Sequence, residues 1–186
     1  MLNSAYAGKN DDELMESFQQ GDAVAFEALY HRYKTPIFSF AYRYTNNTND
    51  AEDIAQQTFL KLFQAHSQYK KLSNFKSWLY AIARNLAVDM KKSAWSRKVD
   101  INTPETDDAS KNARPEWEKK EIAAIVQAAV NALSEDQREV FILSKYQDLS
   151  YNEIAEICGC STDAVKQRIF RSHQILKEKL ARFVEV

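Results

Sequence analysis

Glycine and proline are scarce in this chain, with three of each in 186 residues. Turn-rich all-β folds depend on such residues, so their scarcity argues against sandwiches and barrels and for long helices with few breaks. No run of about 18 apolar residues occurs, so no transmembrane helix is expected. The first ten residues lack both a basic n-region and an apolar h-region, which argues against a secretory signal and for a cytoplasmic protein. There are only two cysteines, Cys158 and Cys160, one residue apart. A disulfide between them is badly strained, and two sulfurs cannot complete a tetrahedral zinc site. His173 follows on what reads as a continuous helix pointing elsewhere, so neither a metal site nor a cofactor is expected. Catalytic patterns are missing too. There is no glycine-rich phosphate loop, no metal-ligand pair on one helix turn and no nucleophile set beside a base, and His31, His66 and His173 do not converge. The chain does not read as an enzyme.

What is present is a core and a segregated charge. Apolar residues make up 45% and charged residues 27%, the composition of a globular protein. The net charge of −1 conceals four blocks. Asp11 to Glu27 holds six acids and no bases, and Lys76 to Lys98 six bases against Asp89 alone. Asp100 to Glu121 has seven acids against four bases, and Asp163 to Arg182 six bases against two acids. Basic blocks on helices are the footprint of phosphate contact, although a solvated helix face has the same composition.

Apolar spacing predicts four helical segments in the first half. Asp11–Gln20 is short, acidic and ended by Gly21. The second, from about Asp22 to Tyr44, carries Phe26, Leu29, Tyr30, Tyr33, Ile37, Phe40, Ala41 and Tyr44 at steps of three and four. Pro36 inside it predicts a kink or a break. After the loop Asn46-Asn47-Thr48, Asn49 is the expected N-cap of a third helix, with Glu52 at N3. Ala51, Ile54, Ala55, Thr58, Phe59, Leu62 and Phe63 form its apolar stripe. A polar loop, His66–Asn74, leads to a fourth helix with Phe75, Trp78, Leu79, Ile82, Ala83, Leu86 and Ala87 inward. Trp78 lies in that stripe and reads as core before it reads as a stacking platform. Periodicity stops near Ser93, and residues 94–115 read as an interdomain linker too polar to order itself. The second half, 116–186, opens with a helix bearing Ile122, Ile125, Val126, Ala129, Val130 and Leu133. Ser134 with Gln137, and Ser150 with Glu153, open two more helices as capping boxes.

Leu149–Ile175 carries the sharpest pattern. A short helix with Ile154, Ala155 and Ile157 meets a turn at Gly159 and a Ser161-led helix whose Val165 and Ile169 face inward. This is helix-turn-helix spacing, in which the second helix presents its N-terminal residues to the major groove. Thr162, Asp163, Lys166, Gln167, Phe170 and Arg171 should point outward. Lys166 and Gln167 can reach base edges, while Arg168, Arg171 and Lys177 suit phosphates.

Two longer stretches are more specific. Asp50-Ala51-Glu52-Asp53-Ile54-Ala55-Gln56-Gln57-Thr58-Phe59-Leu60-Lys61-Leu62-Phe63, followed by Phe75 to Asp89, resembles region 2 of the extracytoplasmic-function group of the sigma-70 family. Ala132-Leu133-Ser134 through Leu176 resembles region 4 of the same family. The resemblance implies an all-α protein of two small domains, over 11–93 and 116–186, joined by a flexible linker and preceded by a tail, 1–10. It implies that Asp50, Asp53, Gln56, Gln57 and Lys61 dock on core RNA polymerase. It gives the loop Tyr69–Asn74 and the next helix the opening and reading of the minus-ten promoter element, with Lys71, Ser73, Asn74, Tyr80, Arg84, Asn85, Lys91 and Lys92 as candidates. Aromatics and amides beside a basic helix can stack on unpaired bases and bond their edges. It also assigns minus-thirty-five duplex DNA to Thr162, Asp163, Lys166, Gln167, Arg168 and Arg171, and threads the linker toward the RNA exit path. The loop departs from the family by lacking a Gly-Asp pair often found there, which leaves the identity of the captured base open. An anti-sigma factor is a further implied partner. That partner, or the acidic N-terminal segment, could cover the basic faces.

The rival reading is a stand-alone helix-turn-helix regulator whose first half senses a ligand or dimerises. The basic helix from Lys76 to Lys98 argues against it, because such a half need not be basic.

Overall fold

The computed structural model describes residues 6, 8–70, 74–98 and 116–184. Among these there is helix and no strand. The helices are α1 (Asp11–Gln19), α2 (Ala23–Thr45), α3 (Thr48–Ala65), α4 (Phe75–Lys98), α5 (Glu116–Asn131), α6 (Glu135–Tyr146), α7 (Tyr151–Cys158) and α8 (Thr162–Val184), with one 3-10 turn, His66–Gln68. Two compact units divide between α4 and α5.

In the first unit α2 packs on α1, α3 and α4, and α3 on α4. Leu29, Ile37, Phe40 and Ala41 of α2 are wholly buried with Ala51, Ile54 and Leu62 of α3 and Leu79, Ala83 and Ala87 of α4. Each larger aliphatic side chain among them contributes about 2 kcal/mol by leaving water. Helix α1 adds Leu14, Met15 and Phe18. It starts at a capping box in which the Glu13 backbone N–H donates to Asn10 Oδ1 (2.9 Å) and the Asn10 N–H to Glu13 Oε2 (2.9 Å). Gly21, at φ +94°, lets the chain turn out of α1.

Several expectations need correction here. Helix α2 continues through Pro36, so of the kink or break expected there the break does not occur. A mid-helix proline costs about 3 kcal/mol, which burial of Tyr33, Ile37 and Phe40 on either side offsets. The cap of α3 is Asn47 and not Asn49. Asn47 is extended and its Oδ1 accepts from the Asp50 N–H at 3.0 Å, while Asn46 closes α2 in the left-handed region at φ 56°. Phe63 was expected inward but is 53% exposed. Helix α4 continues to Lys98, because a helix outlasts its buried stripe. The remainder of the expected linker, 99–115, lies outside the described residues.

In the second unit α8 packs on α5 and α6. Val130, Val140, Ile142, Leu143, Ile154 and Val165 are buried. Both predicted capping pairs form. The Ser134 N–H donates to Gln137 Oε1 (3.2 Å), and the Ser150 N–H to Glu153 Oε2 (2.7 Å) while the Glu153 N–H reaches Ser150 Oγ (3.3 Å). Arg138 donates to the carbonyls of Asn131 and Leu133, satisfying the open end of α5. Ser172, wholly buried, donates to the Arg168 carbonyl at 2.7 Å.

Candidate nucleic-acid and protein interfaces

On α3, Asp53, Gln56, Gln57 and Lys61 are exposed and Asp50 half-buried. Asp50, Asp53, Gln57 and Lys61 stand three or four residues apart, one stripe along the flank of the buried face. Gln56 also borders a shallow groove of about 520 Å³ between α3 and α2, lined by Tyr30, Lys34, Phe38 and Phe59. Tyr30, 39% exposed, sits edge-on to Phe59 at 4.8 Å. Periodicity had turned Tyr30 inward; its place at the border of the stripe is what misled that assignment. Leu60, which falls outside the stripe, and Phe63, which spacing placed in it, are both exposed on this helix.

On α4, Asn74 is exposed and its Oδ1 accepts from the Lys76 N–H at 2.9 Å, capping the helix beside the loop. Arg84 and Lys91, like Asn85 and Lys92, are seven residues apart, two turns on one face. Asn85 and Lys92 are exposed, Arg84 and Lys91 half-buried. Arg84 donates to Asn85 Oδ1 (3.3 Å), and Lys91 Nζ lies 4.9 Å from the centre of the Tyr44 ring. These four side chains make a cationic, amide-bearing surface. Tyr80 does not belong to it. It is 1% exposed and meets Phe40 edge-on at 5.7 Å, and burial pushes its phenol well above the ordinary range. An aromatic next to Leu79 faces α2, not solvent. Trp78 is half-buried against Tyr69 (5.2 Å) and Phe75. Lys71 and Ser73 lie outside the described residues.

On α8, the helix-turn-helix closes as its spacing predicts. Gly159 takes φ +63°, the Cys160 N–H donates to the Ala155 carbonyl (3.0 Å), and Ser161 Oγ caps the Ala164 N–H (3.1 Å). Val165 and Ile169 are buried. Asp163, Lys166, Gln167, Phe170 and Arg171 are exposed and Thr162 half-buried. Lys166 Nζ is paired with Asp163 Oδ1 at 3.0 Å, an exposed contact that a phosphate or base can replace at little cost. Thr162 donates to Asn152 of α7 (3.1 Å), tying the first turn of α8 to its neighbour. Arg168, the other arginine of this set, is half-buried. It turns toward α6, where its guanidinium bonds Asp136 at 2.6 Å and faces Cys160 Sγ at 3.6 Å. Three residues from Arg171, it lies on the flank of α8 and links that helix to α6.

Family comparisons agree with both halves. The family described as Sigma-70 region 2 matches residues 29–97, and Sigma-70, region 4 matches residues 123–174. The RNA polymerase sigma-H factor of Pseudomonas aeruginosa is 31% identical over 182 residues, covering 92% of this chain and 94% of the relative. The chain belongs to the sigma-70 family. Its group is the extracytoplasmic-function (ECF) one, since the ECF RNA polymerase sigma-E factor of Haemophilus influenzae is 32% identical over 91% of this chain and 95% of its own. A solved complex of the sigma factor RpoE with the anti-sigma factor NepR from Bartonella quintana is similar at TM-score 0.70 and 26% identity, over 87% of this chain and 98% of that one. CnrH, solved with the cytosolic domain of CnrY, shares the fold at TM-score 0.73 and 24% identity, over 92% and 97% of the two chains. As an alternative sigma factor the protein is a transcription initiation factor and not an enzyme. None of its described helices is long and apolar enough to cross a membrane.

Proposed function

We propose that this sigma factor docks on core RNA polymerase through Asp50, Asp53, Gln56, Gln57 and Lys61, and reads its promoter with two separate surfaces. Asn74, Arg84, Asn85, Lys91 and Lys92 engage the opened minus-ten strand, with Lys71 and Ser73 completing the loop. Thr162, Lys166, Gln167 and Arg171 read minus-thirty-five duplex, with Asp163 orienting Lys166. One observation supports this reading most. Each unit spends its aliphatic stripe on its own core yet leaves a polar or basic helix face open. Opening and duplex reading need different chemistry. Amides and cations suit splayed bases, whereas the first turns of α8 suit a major groove. The protein works in the cytoplasm. An anti-sigma factor is its expected regulator, as in the relative solved with NepR, and the part of the expected linker that follows α4 acts as the tether between domains.

The test is run-off transcription by purified core RNA polymerase from a library of random promoters, with and without the protein. Transcripts that depend on it and share two spaced elements support the reading. Retained duplex binding with no affinity for core favours a stand-alone regulator. Charge reversal at Lys166 and Arg171 should weaken minus-thirty-five recognition and spare core binding; equal loss of both counts against the division of roles.

A further inference from the structure

Helix α1 lies outside the region 2 match, which begins at residue 29, yet it reaches both ends of the loop before α4. The Tyr69 hydroxyl donates to Asp12 Oδ1 at 2.7 Å. Gln19 Nε2 donates to the carbonyls of Tyr69 (2.9 Å) and His66 (2.8 Å). The Tyr69 ring, 6% exposed, then crosses to the far end of the loop, packing on Phe75 at 6.0 Å and Trp78 at 5.2 Å. Asp11 does the parallel thing toward α2. It accepts from the Tyr33 hydroxyl, whose ring meets Phe75 edge-on at 5.6 Å, and from the Arg32 guanidinium. Two adjacent carboxylates in the first turn of α1, where the helix dipole favours negative charge, thus hold two tyrosines around the first residue of α4.

We infer that Tyr69 is a positioning residue for promoter opening, held by Asp12 and Gln19, and that α1 acts on the minus-ten element without touching DNA. The inference rests on the proposed reading of α4 and its loop. The bonds fix where the chain leaves the 3-10 turn, and the ring fixes where it enters α4. Through Tyr69, α1 thus touches both described flanks of the loop. Packing of the ring alone does not require the hydroxyl or the Gln19 amide, which is what separates positioning from simple core filling.

The experiment uses the full chain with core RNA polymerase on a promoter of the selected sequence. Permanganate reactivity measures strand opening, an oligonucleotide series measures minus-ten base preference, and core affinity and thermal midpoint are measured beside them. Tyr69→Phe keeps the ring and drops the hydroxyl. It is expected to reduce opening roughly five-fold and to flatten base preference, with core affinity unchanged, since a bond to a charged acceptor is lost. Gln19→Met and Asp12→Ala should behave alike, while Asp12→Asn, which keeps an acceptor oxygen, should stay near wild type. Arg84→Ala and Asn85→Ala serve as the control on the underlying reading. If they impair opening while Tyr69→Phe and Gln19→Met open and discriminate like wild type, the inference about α1 is overturned and the reading stands. If none of the four changes opening, the reading of α4 falls and the inference falls with it. A loss of core affinity and thermal stability in step with opening also overturns it, because the role is then structural.

Discussion

Arg168 and Arg171 provide a sharp contrast, because they sit one turn apart on one helix and only one of them is free for phosphate. Arg168 has a side chain 28% exposed and a guanidinium 2.6 Å from Asp136, whereas Arg171 is exposed. Each phosphate neutralised on B-DNA contributes about −0.9 to the slope of log affinity against log salt. Arg171→Ala is therefore expected to make that slope shallower by about 0.9, and Arg168→Ala to leave it nearly unchanged. The cost of Arg168→Ala falls on the fold. Asp136 is 63% exposed, so the pair is largely solvated and worth about 0.5 kcal/mol. In a domain of this size that lowers the thermal midpoint by roughly 2–4 °C. The assay is fluorescence anisotropy of the polymerase holoenzyme on a labelled minus-thirty-five duplex between about 50 and 200 mM salt, with a thermal melt of each variant. Asp136→Asn adds a check, since a released Arg168 should steepen the slope. A loss of slope in Arg168→Ala equal to that in Arg171→Ala refutes the contrast.

Other outcomes follow from burial and capping. Leu62→Ala, at a wholly buried position, should cost about 2–5 kcal/mol in urea unfolding of the first unit, and a cost below 1 kcal/mol contradicts the packing described. Ser150→Ala removes a reciprocal cap and should cost about 1 kcal/mol, seen as earlier unfolding of the second unit. Burial, the first cause, holds the phenols of Tyr33, Tyr69 and Tyr80 above their ordinary value, and the carboxylates beside Tyr33 and Tyr69 push the same way. The unfolded chain then releases these protons first, so stability is full below about pH 10 and declines above it. Thermal midpoints across that range test the sign, and a flat profile through pH 11 would contradict it.

How far the sequence carried depended on how local each feature was. The pairs Ser134/Gln137 and Ser150/Glu153 were legible because a capping box needs only four residues and one hydrogen-bond geometry. The helix-turn-helix was legible because Gly159, Ala155 and Val165 answer to one local crossing. Asn47 was missed in favour of Asn49, since both can cap and the choice depends on Asn46 turning left-handed at the end of α2. Pro36 misled because its penalty is local while the burial that outweighs it comes from three other helices. Tyr80 and Arg168 lie at the borders of their stripes, where spacing leaves two faces open. Their partners, Phe40 and Asp136, are 40 and 32 residues away in the sequence. The Asp12–Tyr69 bond spans 57 residues and leaves no local trace at all.

The same bonds bear on the charge of the whole chain. A net charge of −1 looks poorly suited to a protein that must approach DNA, and an acidic segment over its basic faces was one way to reconcile them. Four carboxylates, three of them in that acidic segment, are bonded within their own domains. Asp11 takes Tyr33 and Arg32, Asp12 takes Tyr69, Asp22 takes Tyr6, and Asp136 takes Arg168. Acids used this way hold helices together, and Lys92, Lys166 and Arg171 are exposed to solvent, Lys166 with Asp163 beside it. Exposed charges further apart than about 8–10 Å are screened at physiological salt, so under the proposed reading each basic face would act on its own stretch of DNA whatever the sum over the chain. On that reading, affinity for the promoter would come from two separate contacts joined through the polymerase.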